Sequence, residues 1–315
     1  MSNIVAIAGG TGGLGRALAE AFKASKYTPY ILARKANPEL EKEIGVPVIP
    51  VDYSNQESLV RLLEDRNIDT VISAISNYDN SHSVEPDLIK AADQSKATHR
   101  FIPSIWSGFD YTTEQGKENP LAASRLVLFD ALRDTNLQWT AIFPGIFLDF
   151  YALTVRAYVK KSALGIDIDG NAAAVPGDGK YPIYFTHTLD LAKYTVALMG
   201  LEKWEEKYYV YADKKTWPEV IGIAEEAKGV KFTVAYDSIE KLKRGEVTEL
   251  PGHRDVYKMV SSGPEGKAIF QQIMSGVSVY MAEGHMVYEG PFLNEMFPDI
   301  KPLTVEGALL KDDRA

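Results

Sequence analysis

The first sixteen residues constrain the fold more than any other stretch, because they lead a short strand through a glycine-rich turn into a helix. The strand is predicted over residues 3–8, and apolar positions recur with a helical period from Leu14 onward. A tight glycine turn lets backbone N–H groups approach an anion at the positive end of the new helix. The stretch therefore predicts a dinucleotide-phosphate site made by Gly9, Thr11, Gly12, Gly13, Leu14 and Gly15.

The charge composition limits the kinds of molecule that the chain is expected to bind. The chain has 315 residues with 34 basic and 43 acidic side chains, a formal charge of −9. This balance argues against direct nucleic-acid binding and against a polybasic membrane contact, and favours a small-molecule substrate. No run approaches the ~20 apolar residues needed to span a bilayer, and no signal-type segment opens the chain, so we expect a cytoplasmic setting.

The cysteine and histidine content excludes further kinds of functional site. There is no cysteine, which excludes disulfides, thiolate nucleophiles and thiolate metal sites. The five histidines are scattered without metal-ligand spacing, so we expect no metal.

A strand and helix alternation continues after the first helix. Further strands are predicted over residues 27–33, 46–51, 68–75, 100–103 and 138–143. This order predicts an α/β fold, a Rossmann-type doubly wound parallel sheet with a smaller discontinuous α+β substrate lobe. We expect residues 1–150, plus about 186–215, to form the NAD(P)-binding domain. The smaller lobe takes about 151–185 and 216–315.

Two local patterns carry further expectations. Ser54 followed by Glu57 is a capping-box spacing and predicts the start of a helix there. The aromatic stretch over residues 145–161 is interpreted as a helix.

The end of the second strand bears on the choice of cofactor. Arg34 and Lys35 stand where an NAD site commonly carries an acidic residue for the ribose 2′-hydroxyl. Basic residues suit a 2′-phosphate, so NADP is favoured and NAD remains possible.

Segments that follow the other strands complete the predicted site, because ligands of such sheets lie at the carboxyl ends of the strands. Cofactor contacts are expected from Asp52, Tyr53, Ala74, Ile75, Ser76 and Pro103. Aromatic residues expected to line the substrate pocket are Trp106, Phe109, Phe147, Phe150, Tyr151, Tyr158, Tyr280 and Phe292. Each aromatic side chain is also compatible with core packing.

The chain resembles the NmrA-like proteins, atypical short-chain dehydrogenases that include isoflavone and phenylcoumaran benzylic ether reductases. The resemblance covers most of residues 3–230. Its motifs are Gly9-x-Thr11-Gly12-x-x-Gly15, Asp52 with Ser58-Leu59, Arg100-Phe101-Ile102-Pro103-Ser104, Trp139-Thr140, Gly145-x-Phe147, Asp178-Gly179 and Asp190-Leu191-Ala192. It implies the doubly wound fold with NADP or NAD at the first turn, and leaves the activity open.

Catalysis is where the chain departs from related patterns. The Tyr-x-x-x-Lys pair of ordinary short-chain dehydrogenases is missing where it is needed, since Gln115 stands four residues after Tyr111. The reductase branch of the resembled family places a lysine fifteen residues before a threonine like Thr140, which here is Arg125. A guanidinium cannot shuttle a proton, so Arg125 is expected to hold a developing anion while Tyr111 or water supplies the proton.

Three hypotheses follow. The first is an NADP(H)-dependent reductase of a small aromatic or alkaloid-like metabolite. The second is a non-redox isomerase or cyclase that retains the cofactor, and the missing lysine motivates it. The third is a redox sensor that passes nucleotide state to a protein partner.

Overall fold

The computed structural model describes residues 2–75, 84–260, 263 and 265–310. Its strands are β1 (Ile4–Ala8), β2 (Thr28–Ala33), β3 (Val48–Pro50), β4 (Thr70–Ser73), β5 (Arg100–Ile102), β6 (Gln138–Trp139), β7 (Ala141–Phe143), β8 (Ile146–Phe147), β9 (Ile166–Asp167), β10 (Ala172–Pro176), β11 (Ile183–Thr186), β12 (Lys207–Tyr209), β13 (Asp213–Lys215) and β14 (Thr233–Asp237). Its helices are α1 (Gly13–Lys23), α2 (Pro38–Ile44), α3 (Gln56–Asp65), α4 (Glu85–Gln94), α5 (Glu114–Lys117), α6 (Ala122–Arg133), α7 (Thr188–Leu198), α8 (Trp217–Lys228), α9 (Ile239–Lys243), α10 (His253–Val260), α11 (Gly266–Ala282), α12 (Leu293–Met296) and α13 (Val305–Leu309).

The main sheet has the strand order β3-β2-β1-β4-β5-β6, and every neighbouring pair is parallel. The strand predicted over 138–143 is interrupted at Thr140, after which β7 pairs in parallel with β12. The strand order reverses beside β1, so a crevice opens at the carboxyl ends of β1 and β4. The predicted Rossmann-type doubly wound sheet is confirmed.

The predicted helix over residues 145–161 is wrong. Ile146–Phe147 is a strand that pairs in parallel with β11, and only the short 3-10 turn Leu148–Phe150 follows. Gly145 precedes it with φ +74°, and a Cβ there would lie 2.2 Å from the Tyr184 carbonyl oxygen. Pairing with a strand almost forty residues away therefore overrides the local helical pattern.

The predicted capping box at Ser54 is also wrong by one residue. Asn55 caps α3, because its Oδ1 accepts a hydrogen bond from the Ser58 N–H at 3.0 Å. The Ser54 hydroxyl instead donates to Asp52 Oδ1 over 2.6 Å.

A second group of strands lies outside the main sheet. β9, β10 and β14 form a three-stranded sheet, and α8 packs against β10. A capping box formed by Thr216 and Glu219 begins α8. One continuous core cluster contains both Phe101 of the main sheet and Trp217 of α8, so the two parts share buried apolar surface. The exact division into two domains remains a prediction. Among the described residues, no helix is long and apolar enough to cross a membrane.

Candidate active site

The glycine turn joins β1 to α1 through close backbone packing. The Gly9 N–H donates to the Leu32 carbonyl at 3.0 Å, and Gly12 N–H donates to Gly9 O at 3.0 Å. A Cβ on Gly15 would lie 2.3 Å from the Gly9 carbonyl oxygen, and one on Gly9 would lie 2.7 Å from Ala74 O. Side chains are thus excluded at these glycines by backbone on both sides.

The start of α1 offers backbone donors that have no acceptor in the part of the chain that the structure describes. Gly12 is the N-cap and has no side chain that could cap the helix, so the N–H groups of Gly13 and Leu14 have no intrahelical acceptor. Thr11 and Gly12 are exposed, and Leu14 is buried beneath them. This uncapped, glycine-lined end fits the phosphates of a dinucleotide.

A segment from the aromatic stretch lies over this turn. We call residues 156–159 the covering segment. A Cβ on Gly13 would lie 2.8 Å from the Val159 side chain and 3.0 Å from the Tyr158 carbonyl oxygen. The Arg16 guanidinium stacks 4.3 Å above the Tyr158 ring, and Arg156 pairs with Glu20 at 2.9 Å.

The predicted 2′-phosphate residues lie at the end of β2. Arg34 and Lys35 are exposed, and neither forms an ion pair within the part of the chain that the structure describes. The hydroxyl of the buried Tyr53 donates to the Leu32 carbonyl over 3.0 Å. Burial raises the pKa of Tyr53 well above its usual range, while the positive charge of Arg34 acts in the opposite direction. Asp52 is exposed, and hydrogen bonds from Ser54 lower the pKa of its carboxyl group.

The segments after β4 and β5 are tied to each other. The Trp106 indole N–H donates to the Ser73 carbonyl at 2.7 Å, and the Ser104 hydroxyl donates to the Ile75 carbonyl at 2.8 Å. Pro103 begins this loop and accepts from the Ile105 N–H. Ala74 and Ile75 are therefore placed at the crevice. Ser76 lies outside the described residues.

The two predicted catalytic residues come together. Tyr111 is 2% exposed, and its hydroxyl lies 2.9 Å from Ser107 Oγ. Burial raises the pKa of Tyr111, while Ser107 and the positive charge of Arg125 beside the hydroxyl act in the opposite direction. One nitrogen of Arg125, Nη1, is buried and has no hydrogen-bond partner among the described residues.

The predicted pocket aromatics divide into two groups. Trp106 and Phe147 are half-buried and pack with the cluster that contains α1, and Phe147 contacts Phe150 at a ring separation of 5.9 Å. Tyr151 is wholly buried, with its hydroxyl donating to the Leu164 carbonyl, so the structure places it in the core. Phe109 is also buried, and its ring packs edge-on against Tyr280 at 5.3 Å.

Two more aromatic residues lie away from the glycine turn. Phe292 packs against Tyr209 and Tyr211 in the core. Tyr280 lines a cavity of about 570 Å³ between α5, α9 and α11. Burial raises the pKa of Tyr280 to about 12. None of the cofactor residues predicted from the sequence lines this cavity.

Sequence reasoning missed Ser107 and Glu20. Ser107 belongs to no motif, and only its contact with Tyr111 distinguishes it from other loop serines. Glu20 lies on the face of α1 that meets the covering segment, a contact that joins residues 136 positions apart. No local pattern in the sequence signals either role.

Comparisons with known proteins agree with the fold. The model of the NmrA-like family matches residues 1–266. The oxidoreductase BOA1 of Botryotinia fuckeliana is 32% identical over 95% of each chain. The oxidoreductase swnN of Metarhizium robertsii is 29% identical over 99% of each chain. Among solved structures, the complex of AtPrR2 with NADP+ and (+)pinoresinol has a TM-score of 0.72 at 18% identity, covering 98% of both chains.

Proposed function

Because the chain belongs to the NmrA-like family, we propose that it is an NADP(H)-dependent reductase of a small aromatic or alkaloid-like metabolite. The observation that carries the proposal is a shared location. The uncapped glycine turn and the loop bearing Tyr111 both follow strands at the carboxyl edge of one parallel sheet. This shared edge supports a dinucleotide and a buried acid meeting at one crevice.

The cofactor is assigned to the turn and to the strand ends beside it. The free N–H groups of Gly13 and Leu14 would hold the pyrophosphate, with Thr11 at the exposed rim. Arg34 and Lys35 would bind the 2′-phosphate, since their charges are unpaired in the described residues. AtPrR2, which shares this fold, holds NADP+. When bound, NADPH would supply a hydride.

The chain itself supplies a proton and charge stabilisation. Tyr111 is neutral near pH 7, because burial raises the pKa of its phenol above the usual value. The fixed charge of Arg125 would stabilise negative charge that develops on Tyr111 as its proton leaves. Arg125 does not need to titrate in this scheme, so the missing lysine does not prevent reduction.

The substrate class rests on the crevice and on the relatives. Trp106 and Phe147 are half-buried aromatic side chains that pack against the core cluster containing Leu14, and their remaining exposed surface would suit a flat ring. AtPrR2 binds (+)pinoresinol, and the relatives BOA1 and swnN are named oxidoreductases. These observations support a small organic substrate and a redox reaction.

The proposal is tested by incubating the protein with NADPH and a panel of aromatic ketones, imines, enones and benzylic ethers. We expect absorbance at 340 nm to fall only when a substrate is present, and the Arg34→Gln/Lys35→Gln variant to need more NADPH. Absence of NADPH consumption across the panel would count against a reductase.

A second candidate is an isomerase that retains the cofactor. It is favoured by Arg125, because an arginine in place of the lysine removes a group able to exchange protons. This enzyme would convert substrate to product while NADPH remains unchanged. Product analysis in the same incubations separates the two candidates.

A further inference from the structure

Ser107 is the accessible end of a short hydrogen-bonded chain. Its Oγ lies 2.9 Å from the Tyr111 hydroxyl and accepts from the Phe109 N–H at 3.1 Å. Tyr111 is 2% exposed, whereas Ser107 is half-buried. Ser107 therefore keeps solvent-exposed surface that a ligand at this edge of the sheet can contact, whereas Tyr111 keeps almost none.

The direction of donation follows from the groups present. The positive charge of Arg125 beside the phenol favours the arrangement in which the lone pairs of the Tyr111 oxygen face Arg125 and the Tyr111 proton points toward Ser107, 2.9 Å away. Ser107 Oγ then accepts from both the Phe109 N–H and Tyr111, which uses its two lone pairs. Its own O–H remains available as a donor.

The loop holds Ser107 in a fixed place. Trp106 and Ser104 anchor the preceding residues to the backbone after β4, through hydrogen bonds of 2.7 and 2.8 Å. The following residue, Gly108, accepts from the Tyr288 hydroxyl at 3.1 Å. Anchors on both sides hold a hydroxyl at one position, which a donor to a reacting atom requires.

We propose that Ser107 is the catalytic proton donor and that Tyr111 and Arg125 are positioning residues that act through it. The inference rests on the proposed reductase function. Bound NADPH would supply a hydride to a substrate C=O or C=N carbon and leave as NADP+, and the oxygen or nitrogen would gain the Ser107 proton. Ser107 recovers a proton from Tyr111, and the resulting phenolate stays beside Arg125. Solvent replaces the proton through Ser107 after the product leaves.

The test compares Ser107→Ala with Ser107→Thr and with Ser124→Ala as a matched control. Ser124 is a half-buried serine next to Arg125, and its hydroxyl donates to the Leu121 carbonyl at 3.0 Å. We expect Ser107→Ala to lower kcat at least about 100-fold while the Kd for NADPH changes less than about twofold. Threonine keeps the hydroxyl and should restore at least about a tenth of kcat.

A second readout uses the cofactor-free protein. With tyrosine labelled at Cζ with carbon-13, the Tyr111 resonance is assigned by its loss in Tyr111→Phe. We expect this resonance to shift in Ser107→Ala, to return toward its original position in Ser107→Thr, and to stay unchanged in Ser124→Ala. A Tyr111 resonance unaffected by Ser107→Ala would show that the two hydroxyls are not coupled and would overturn the inference.

The kinetic outcomes separate this inference from the function on which it rests. If the wild type consumes NADPH and Ser107→Ala keeps full kcat, the inference fails and the reductase stands. If the wild type consumes no NADPH with any substrate, both fail.

Discussion

The Tyr158 hydroxyl donates a hydrogen bond to the Glu20 carboxylate at 2.5 Å and ties the covering segment to α1. Arg156 and Arg16 bind the same carboxylate, so three side chains converge on Glu20. The segment presses Val159 against Gly13, at the turn where we place the pyrophosphate. Cofactor exchange should therefore require the covering segment to move.

Loosening this attachment should speed exchange of NADP(H). Tyr158→Phe removes one charge-assisted hydrogen bond, which contributes about 1.5 kcal/mol, so the dissociation rate of NADPH should rise roughly tenfold. Stopped-flow fluorescence of bound NADPH measures that rate. Tyr236→Phe is the control, because Tyr236 is 56% exposed and lies on β14. Equal rates in both variants would show that the attachment does not govern exchange.

Selectivity for NADP over NAD should depend on Arg34 and Lys35. Replacing both with glutamine removes the charges assigned to the 2′-phosphate, so the Kd for NADPH should rise about 10- to 100-fold. The Kd for NADH should change less than about twofold, and calorimetry measures both. Lys90→Gln/Lys96→Gln, which removes two exposed lysine charges elsewhere, controls for net charge. A parallel loss of NADH affinity would contradict the assignment.

Gly15 should tolerate no side chain. Gly15→Ala brings Cβ to 2.3 Å from the Gly9 carbonyl oxygen, and this overpacking should destabilise the fold by about 2 kcal/mol and weaken NADPH binding at least about tenfold. Gly222→Ala on α8 has no atom within 4 Å of its new Cβ and should instead stabilise the helix by about 0.5–1 kcal/mol. Urea unfolding distinguishes the two, and equal stability would contradict the packing described for the turn.

Stability should fall on mild acidification because of His253. Its Nδ1 accepts from the Leu250 N–H and its Nε2 bonds the Ala163 carbonyl, so the ring is buried in its neutral form. Burial lowers the pKa of His253 in the folded state, whereas the unfolded chain binds a proton near pH 6.5. This contribution is complete above about pH 6.5 and is lost as the pH falls toward the folded pKa, at up to about 1.4 kcal/mol per pH unit.

His253→Gln should flatten that dependence. Urea unfolding at pH 7.5 and 5.5 gives the free energy of unfolding at each pH for wild type and variant. The variant should be less stable at pH 7.5 and should lose less stability between the two values. An unchanged difference between pH 7.5 and 5.5 would show that His253 is not the responsible group.

Local signals in the sequence predicted the sheet and the glycine turn well. Each predicted strand of the main sheet is bounded by its own turn residues, and the alternation with helices dictates parallel pairing. The helix predicted after Gly145 was wrong because β8 forms by pairing with β11, and no residue near β8 in the sequence indicates that pairing. Tyr151 was predicted to line the substrate pocket but is buried in the core, since aromatic character alone does not distinguish a core ring from a pocket ring.

The candidate catalytic residues were only partly predictable from the sequence, for the same reason. Counting back from Thr140 located Arg125, and the loop after the fifth strand located Tyr111. Ser107 was not found, because its significance depends on a contact between side chains rather than on a motif. Sequence spacing thus identified two members of the cluster, and only the folded loop adds the third.

If the crevice transfers a hydride, deuterium from the cofactor must appear in the product. The protein is incubated with substrate and NADPH carrying deuterium at one face of nicotinamide C4, in two parallel reactions that label opposite faces. We expect one deuterium per product from one of the two cofactors, with one NADP+ formed per product. Product that carries no deuterium from either cofactor, formed without NADP+, would contradict hydride transfer.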